Sequence, residues 1–182
     1  MSVTAAGDGA RVHLIRLGGL AALLGGLAWT LKGIVILLGG DQPPLLFEAA
    51  PVLFGVGLLG VAHSTMHPSR RRVSVLGFAA LSSMAGLAAL TSDLVGEVWG
   101  AALAVSSLGL LVGLLTLPRR GPRPAPLGWW MGLAMVPAIV VGGALSEIEE
   151  RLLEIPLTCL GLAWMVVGWA GLSSQTVDSN AS

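Results

Sequence analysis

Tyrosine is absent from this 182-residue chain, lysine and cysteine occur once each, and charged residues make up only 11% of it. Water-soluble domains carry roughly 25% charged residues, so the shortage excludes an ordinary soluble fold. The single Cys159 excludes an internal disulfide, and its place within an apolar run marks it as a small packing residue. There is no HExxH, no GxSxG, no Walker loop and no pairing of a nucleophile with a base, which leaves no recognisable catalytic centre and no cofactor. The formal net charge is zero, with bases and acids in separate segments, so no nucleic-acid partner is implied.

What is present is apolar sequence: 54% hydrophobic residues and a mean hydropathy of +0.84. A span needs about 20 apolar residues to cross a hydrocarbon core of roughly 30 Å. Six stretches approach that length, at 14–38, 44–62, 73–91, 96–117, 127–145 and 155–172. The expected fold class is all-α, a polytopic membrane protein with six transmembrane helices arranged as three antiparallel hairpins. A polar head, 1–13, and a polar tail, 173–182, flank one transmembrane domain, 14–172. The first span follows Arg11 and Arg16 as a secretory signal would, but it runs on without a small-residue cleavage site and reads as a retained signal-anchor.

The charge sign alternates from loop to loop. Arg11 and Arg16, then Arg70, Arg71 and Arg72, then Arg119, Arg120 and Arg123 fall on one side, which the positive-inside rule makes cytoplasmic. Asp41, then Asp93 and Glu97, then Glu147, Glu149, Glu150 and Glu154 fall on the other. Both termini are then cytoplasmic. Nine arginines to one lysine, with abundant Ala, Gly and Leu, point to a GC-rich bacterial coding sequence and hence a bacterial plasma membrane. The four prolines between Pro118 and Pro126 favour an extended basic linker beside anionic lipid.

Spacing is most informative in the first span. Gly18, Ala21, Gly25, Ala28, Lys32, Val35 and Gly39 share one helical stripe, and Gly19, Ala22, Gly26, Trp29 and Gly33 the next. Leu20, Leu24, Leu27, Leu31, Ile34 and Leu38 line the opposite face. Membrane helices associate through small residues, so the small stripes should face protein and the leucines lipid. That places Lys32, the sole lysine, on the protein side. An intramembrane charge costs roughly 2.5–3.5 kcal/mol on insertion scales and calls for a partner. Glu48 stands as far beyond the turn at Gly40 as Lys32 stands before it, which makes it the candidate partner. The alternative is that Lys32 snorkels to the headgroups along its own stem. Asp93 and Glu97, at the same membrane face, complete a candidate binding group of Lys32, Glu48, Asp93 and Glu97.

Gly25, Ala28, Gly96, Gly100, Gly109 and Gly113 are candidate helix-packing residues, usable within the chain, in a homo-oligomer or with another membrane protein. His63 and His67 lie one turn apart, but a metal site needs three or four ligands and the arginines nearby disfavour a cation, so no metal is expected. Ser82, Ser83, Ser106, Ser107 and Thr158 are expected to bond carbonyls within their own helices, and Glu147 to pair with Arg151. Gly26-Leu-Ala-Trp29 recurs as Gly161-Leu-Ala-Trp164, a match too short in so biased a composition to argue duplication. The leading functional expectation is a non-enzymatic membrane protein whose outward-facing polar pocket binds or translocates a small solute, an anionic molecule or a lipid headgroup. The runner-up is a structural or regulatory subunit that docks a partner through small-residue faces, and a lipid-modifying membrane enzyme comes third.

Overall fold

Away from water a backbone must satisfy its own polar groups, and a helix does so within a single segment. The computed structural model describes the backbone of residues 3–41, 46–94 and 100–179, and the side chains of 12–41, 49–92 and 100–173. Among the described residues the regular elements are α1 (Val3–Leu37), α2 (Leu46–Thr65), α3 (Arg70–Leu94), α4 (Gly100–Thr116), α5 (Ala125–Ser146), a short 3-10 helix (Glu150–Leu153) and α6 (Glu154–Ser179), with no strand. Four segments are long and apolar enough to cross a membrane: Val12–Leu37, Arg70–Ser92, Ala125–Ser146 and Glu150–Ser173.

Four is fewer than the six spans expected. The described apolar parts of the other two helices, Ala49–Thr65 and Gly100–Thr116, are shorter, and 17 residues of α4 rise only about 25 Å. The expected spans 44–62 and 96–117 both begin in residues that lie outside the described ones, 42–45 and 95–99. At the chain ends the difference runs the other way. α1 starts at Val3 and α6 continues to Ser179, because a helix once nucleated propagates cheaply through the alanines near the start and the polar residues near the end.

α1 ends where expected and for an identifiable reason. Gly39 takes a left-handed conformation, φ 87°, which lets the Gly40 N–H donate to the Val35 carbonyl at 2.9 Å and the Gly39 N–H to Ile36 at 3.0 Å. This is a Schellman cap, and it turns the chain back toward α2.

From α1 to α5, consecutive helices run antiparallel, as the opposed order of their contacts shows. On α1, Gly18 meets Gly60 and Gly25 meets Phe54 of α2; Gly55 meets Ser83, and Gly86 meets Val52, between α2 and α3. Gly109 lies on Phe78 and Ser82 of α3, and Gly128 and Gly132 lie on Leu117 and Leu114 of α4. Gly142 of α5 meets Leu153 and Pro156 at the start of α6. Beyond these consecutive contacts, α1 packs at least as extensively on α6 as on α2, so the first and last helices close the bundle into a ring. α2 also touches α4, α5 and α6, which puts it nearest the centre.

Small residues make these approaches. A Cβ on Gly161 would lie 2.7 Å from the Thr30 hydroxyl and 2.8 Å from the Gly26 carbonyl, and one on Gly168 would lie 2.7 Å from the Gly19 carbonyl. The leucine stripe of the first span is exposed, from Leu27 at 39% to Leu38 at 83%, so the helix presents bulk outward and glycine inward, the reverse of a water-soluble bundle. Val35, grouped with the protein-facing stripe, is exposed as well. Among the packing candidates Gly25 sits on Phe54, Ala28 is buried, and Gly113 sits on Leu58. Gly100 meets no described atom within 4 Å, and Gly96 lies outside the described residues.

The two Gly-Leu-Ala-Trp segments face one another. Gly26 lies on Gly161, and Trp29 and Trp164 both pack on the fully buried Phe54, edge-on at 5.0 Å and stacked at 4.8 Å. Three of the serines expected to bond within their own helices, Ser82, Ser83 and Ser106, bond between helices instead. Ser106 donates to the Ser82 carbonyl at 2.7 Å, and Ser83 donates to the Val52 carbonyl at 3.5 Å. Hydroxyls donating to a neighbouring helix's carbonyls thereby tie α3 to α4 and α2.

Replacing Gly161 by Val should therefore cost about 1–3 kcal/mol or more through overpacking. Gly77→Val, at an exposed site with nothing within 4 Å, should be close to neutral. Thermal unfolding of the two variants in detergent beside wild type checks the contrast.

Candidate functional site

The α1–α6 seam carries its glycines at heptad spacing. Gly19, Gly26 and Gly33 on α1 face Gly168, Gly161 and the backbone of Glu154 on α6. Glu154 thus takes the place on α6 where a third glycine would stand, and Lys32, next to Gly33, is within reach of it. The ammonium donates to Glu154 Oε1 at 2.7 Å, with the two side chains 4% and 7% exposed. Lys32 is therefore enclosed rather than snorkelling, and its partner among the described residues is Glu154.

The expected partner was Glu48. Its backbone lies in the first turn of α2, but its side chain is outside the described residues, as is that of Asp93 in the last turn of α3. Glu97 lies wholly outside them. Glu154 had been grouped with the acids of the outer loops, and the structure places it instead in the buried first turn of α6. The acidic segment splits at this residue: Glu147, Glu149 and Glu150 are exposed, whereas the 3-10 turn directs Leu153 onto Gly142 and starts α6 at Glu154. A carboxylate in the first turn also meets the positive end of the α6 dipole. The expected Glu147–Arg151 pair is replaced by Arg151 and Glu149 at 3.9 Å, exposed and of little energetic weight.

Two polar atoms at this place lack a hydrogen bond among the described residues. Glu154 Oε2 is buried beside the engaged Oε1, and Thr158 Oγ1 is buried one turn along the same face of α6. A threonine in a helix commonly donates to the carbonyl four residues back. Thr158 instead sets its hydroxyl against Gly33. Each such orphan costs about 1–3 kcal/mol, and polar groups of this kind mark sites where a further molecule completes the bonding. Below them, toward the middle of the seam, Trp29, Phe54 and Trp164 form an apolar floor. The arrangement offers an acceptor and a hydroxyl beside a neutralised charge pair. It can bind a small polar group, but it supplies no activated nucleophile.

Elsewhere, His63 donates from Nδ1 to the Leu59 carbonyl at 3.0 Å, and no group of three or more His, Cys, Asp or Glu among the described residues could hold a metal. At the arginine-bearing end Arg71 donates to the Leu117 carbonyl at 2.8 Å, satisfying the end of α4, and Arg119 lies over Trp129 at 4.4 Å. No protein-family model, no curated protein and no solved structure matches the chain.

Removing one partner of a buried ion pair strands the other charge and typically costs about 3–5 kcal/mol, whereas replacing both by apolar residues is often neutral. Lys32→Leu and Glu154→Leu should each lower stability by that order, and the double variant should recover most of it. Unfolding in detergent across the double-mutant cycle measures the coupling.

Proposed function

We propose that the chain is a non-enzymatic, six-span protein of a bacterial plasma membrane, with both termini in the cytoplasm. In this reading it binds or translocates a small polar solute, or holds a lipid headgroup, at an outward-facing intramembrane site built on Lys32, Glu154 and Thr158. Glu48, Asp93 and Glu97 belong by sequence to the same membrane face and would line the approach.

The observation that carries the reading is the pair of orphaned polar atoms, Glu154 Oε2 and Thr158 Oγ1, next to a buried ion pair. An ionisable group within a span is by default a functional candidate, because its insertion cost must be offset by some gain. Since Glu154 already answers the charge of Lys32, a bare anion would have to displace a carboxylate. A ligand that donates to Glu154 Oε2 and accepts from Thr158 fits without that displacement, and a zwitterionic or polyhydroxylated group has both functions.

Antiparallel spans are supported by the contact order along the four consecutive pairs from α1 to α5. The orientation is supported by the arginines at one end of the bundle and the exposed acids at the other. The reading as a docking subunit is the weaker one, because most described glycines already meet neighbours inside the chain, with Gly77, Gly100, Gly121 and Gly143 the exceptions.

Two measurements test the proposal. Native mass spectrometry of protein purified in mild detergent should show a co-purifying small molecule or lipid that is lost from Thr158→Val and from the Lys32→Leu/Glu154→Leu double variant, both still folded. Equal retention by all three proteins would refute the site. For the topology, Glu149→Cys on a Cys159→Ser background should react with an impermeant maleimide on intact cells, whereas Ser69→Cys should react only after permeabilisation.

A further inference from the structure

Apart from the Lys32 site, α5 is held unevenly. Its first half rests on α4 through Gly128 and Gly132, and its second half rests on the start of α6 through Gly142. Toward the arginine-bearing end, a lateral groove of about 490 Å³ lies between the start of α5 and α6. Leu127 and Arg123 line one side, and Val166, Trp169, Ala170 and Ser173 line the other. Trp169 is 68% exposed and Val166 56% exposed, so one wall is an apolar surface open to the side. Arg123, at the mouth, makes no ion pair or hydrogen bond among the described residues.

We infer that this groove is a binding site for an anionic phospholipid, with the phosphate on Arg123, the indole of Trp169 at headgroup level and one acyl chain laid along Leu127, Val166 and Ala170. Three features on the structure select that occupant. The groove opens sideways, as an acyl chain requires. Its walls are apolar below a single cation, which matches the division of a lipid into tail and head. Its end of the bundle carries Arg70, Arg71, Arg72, Arg119, Arg120 and Arg123 and no described acidic side chain, so the field there favours an anionic over a zwitterionic head. A guanidinium presents paired donors to phosphate oxygens, a geometry that an ammonium lacks. Neighbouring Arg119 is stacked on Trp129, which leaves Arg123 as the arginine at the groove.

The inference rests on the membrane reading above but is independent of the Lys32 site. Full-length protein in a mild detergent is titrated with phosphatidylglycerol or with phosphatidylcholine of the same chains and followed by native mass spectrometry. Wild type should retain phosphatidylglycerol in preference to phosphatidylcholine. Arg123→Gln should weaken phosphatidylglycerol binding about fivefold while leaving phosphatidylcholine unchanged, and Trp169→Ala should weaken both. Arg70→Gln, which removes a charge from the same end but outside the groove, should have no comparable effect. If Arg70→Gln weakens binding as much as Arg123→Gln, the selectivity belongs to the basic surface as a whole and the site is refuted. Displacement of the lipid by millimolar inorganic phosphate would show an anion site without a role for the tail and would equally overturn the proposal. Unchanged unfolding temperature separates these losses from misfolding, and Arg123→Lys, with charge kept and paired donors lost, should fall between wild type and Arg123→Gln. Failure of the groove with the Lys32 coupling intact would leave the proposed function standing, whereas a protein that stays dispersed without detergent would remove both.

Discussion

Contact between the first and last helices is the constraint on which the rest of the structure depends. Without it, the first and last helices would each leave a face lined with glycine uncovered. Gly19, Gly26 and Gly33 on α1 and Gly161 and Gly168 on α6 bring two backbones close enough to exclude side chains from the line between them. In hydrocarbon, where apolar side chains gain nothing by hiding from lipid, such backbone proximity and its dispersion contacts are what hold helices together. Phe54, clasped by Trp29 and Trp164, then ties α2 to the same seam.

The ion pair follows from that geometry. Once the glycine heptads are in register, the start of α6 must lie beside the turn of α1 that carries Lys32, and a carboxylate there meets the ammonium without any long reach. A buried pair is not by itself a source of stability, because desolvation of both ions offsets much of their attraction. In the proposed function, the leftover carboxylate oxygen and the Thr158 hydroxyl serve a third group, which would account for a pair among residues that could all have been apolar. The α1–α6 seam is the tight part of the bundle, and the groove beside α5 and α6 is the open part. The two proposed sites sit in these opposite settings, one enclosed and one open to the side.

Much of the fold could be read from the residues, and the reasons are local. Apolar length marked the helices, Gly39 marked the end of α1, and the spacing of Leu20, Leu24, Leu27 and Leu31 marked its outward face. The contact of Lys32 with Glu154 was missed because proximity in sequence favoured Glu48, whose side chain lies outside the described residues, whereas the contact with Glu154 joins residues 122 apart. No local rule reports which helices close a ring. A signal was nevertheless present: Glu154, Gly161 and Gly168 repeat at the same interval as Gly19, Gly26 and Gly33, and the recurring Gly-Leu-Ala-Trp segments mark where the two lines cross. The match was too short to argue common descent, but as a packing device it needs no descent. Likewise, the serines of α3 and α4 were expected to bond within their helices, because that option is always available. Bonding across the interface depends on the approach at Gly109, which no spacing rule measures.

Lys32 is the only lysine, so labelling lysine Nζ with nitrogen-15 marks a single atom of the protein. With glutamate side-chain carboxyls carrying carbon-13, the dipolar coupling between that nitrogen and nearby carboxyl carbons can be read by solid-state NMR in reconstituted bilayers. A bond of 2.7 Å predicts strong dephasing in the wild type, of which the part due to Glu154 is lost in Glu154→Gln. Dephasing that is absent from the wild type, or unchanged when Glu154 is replaced, would contradict the closure of the bundle through α1 and α6.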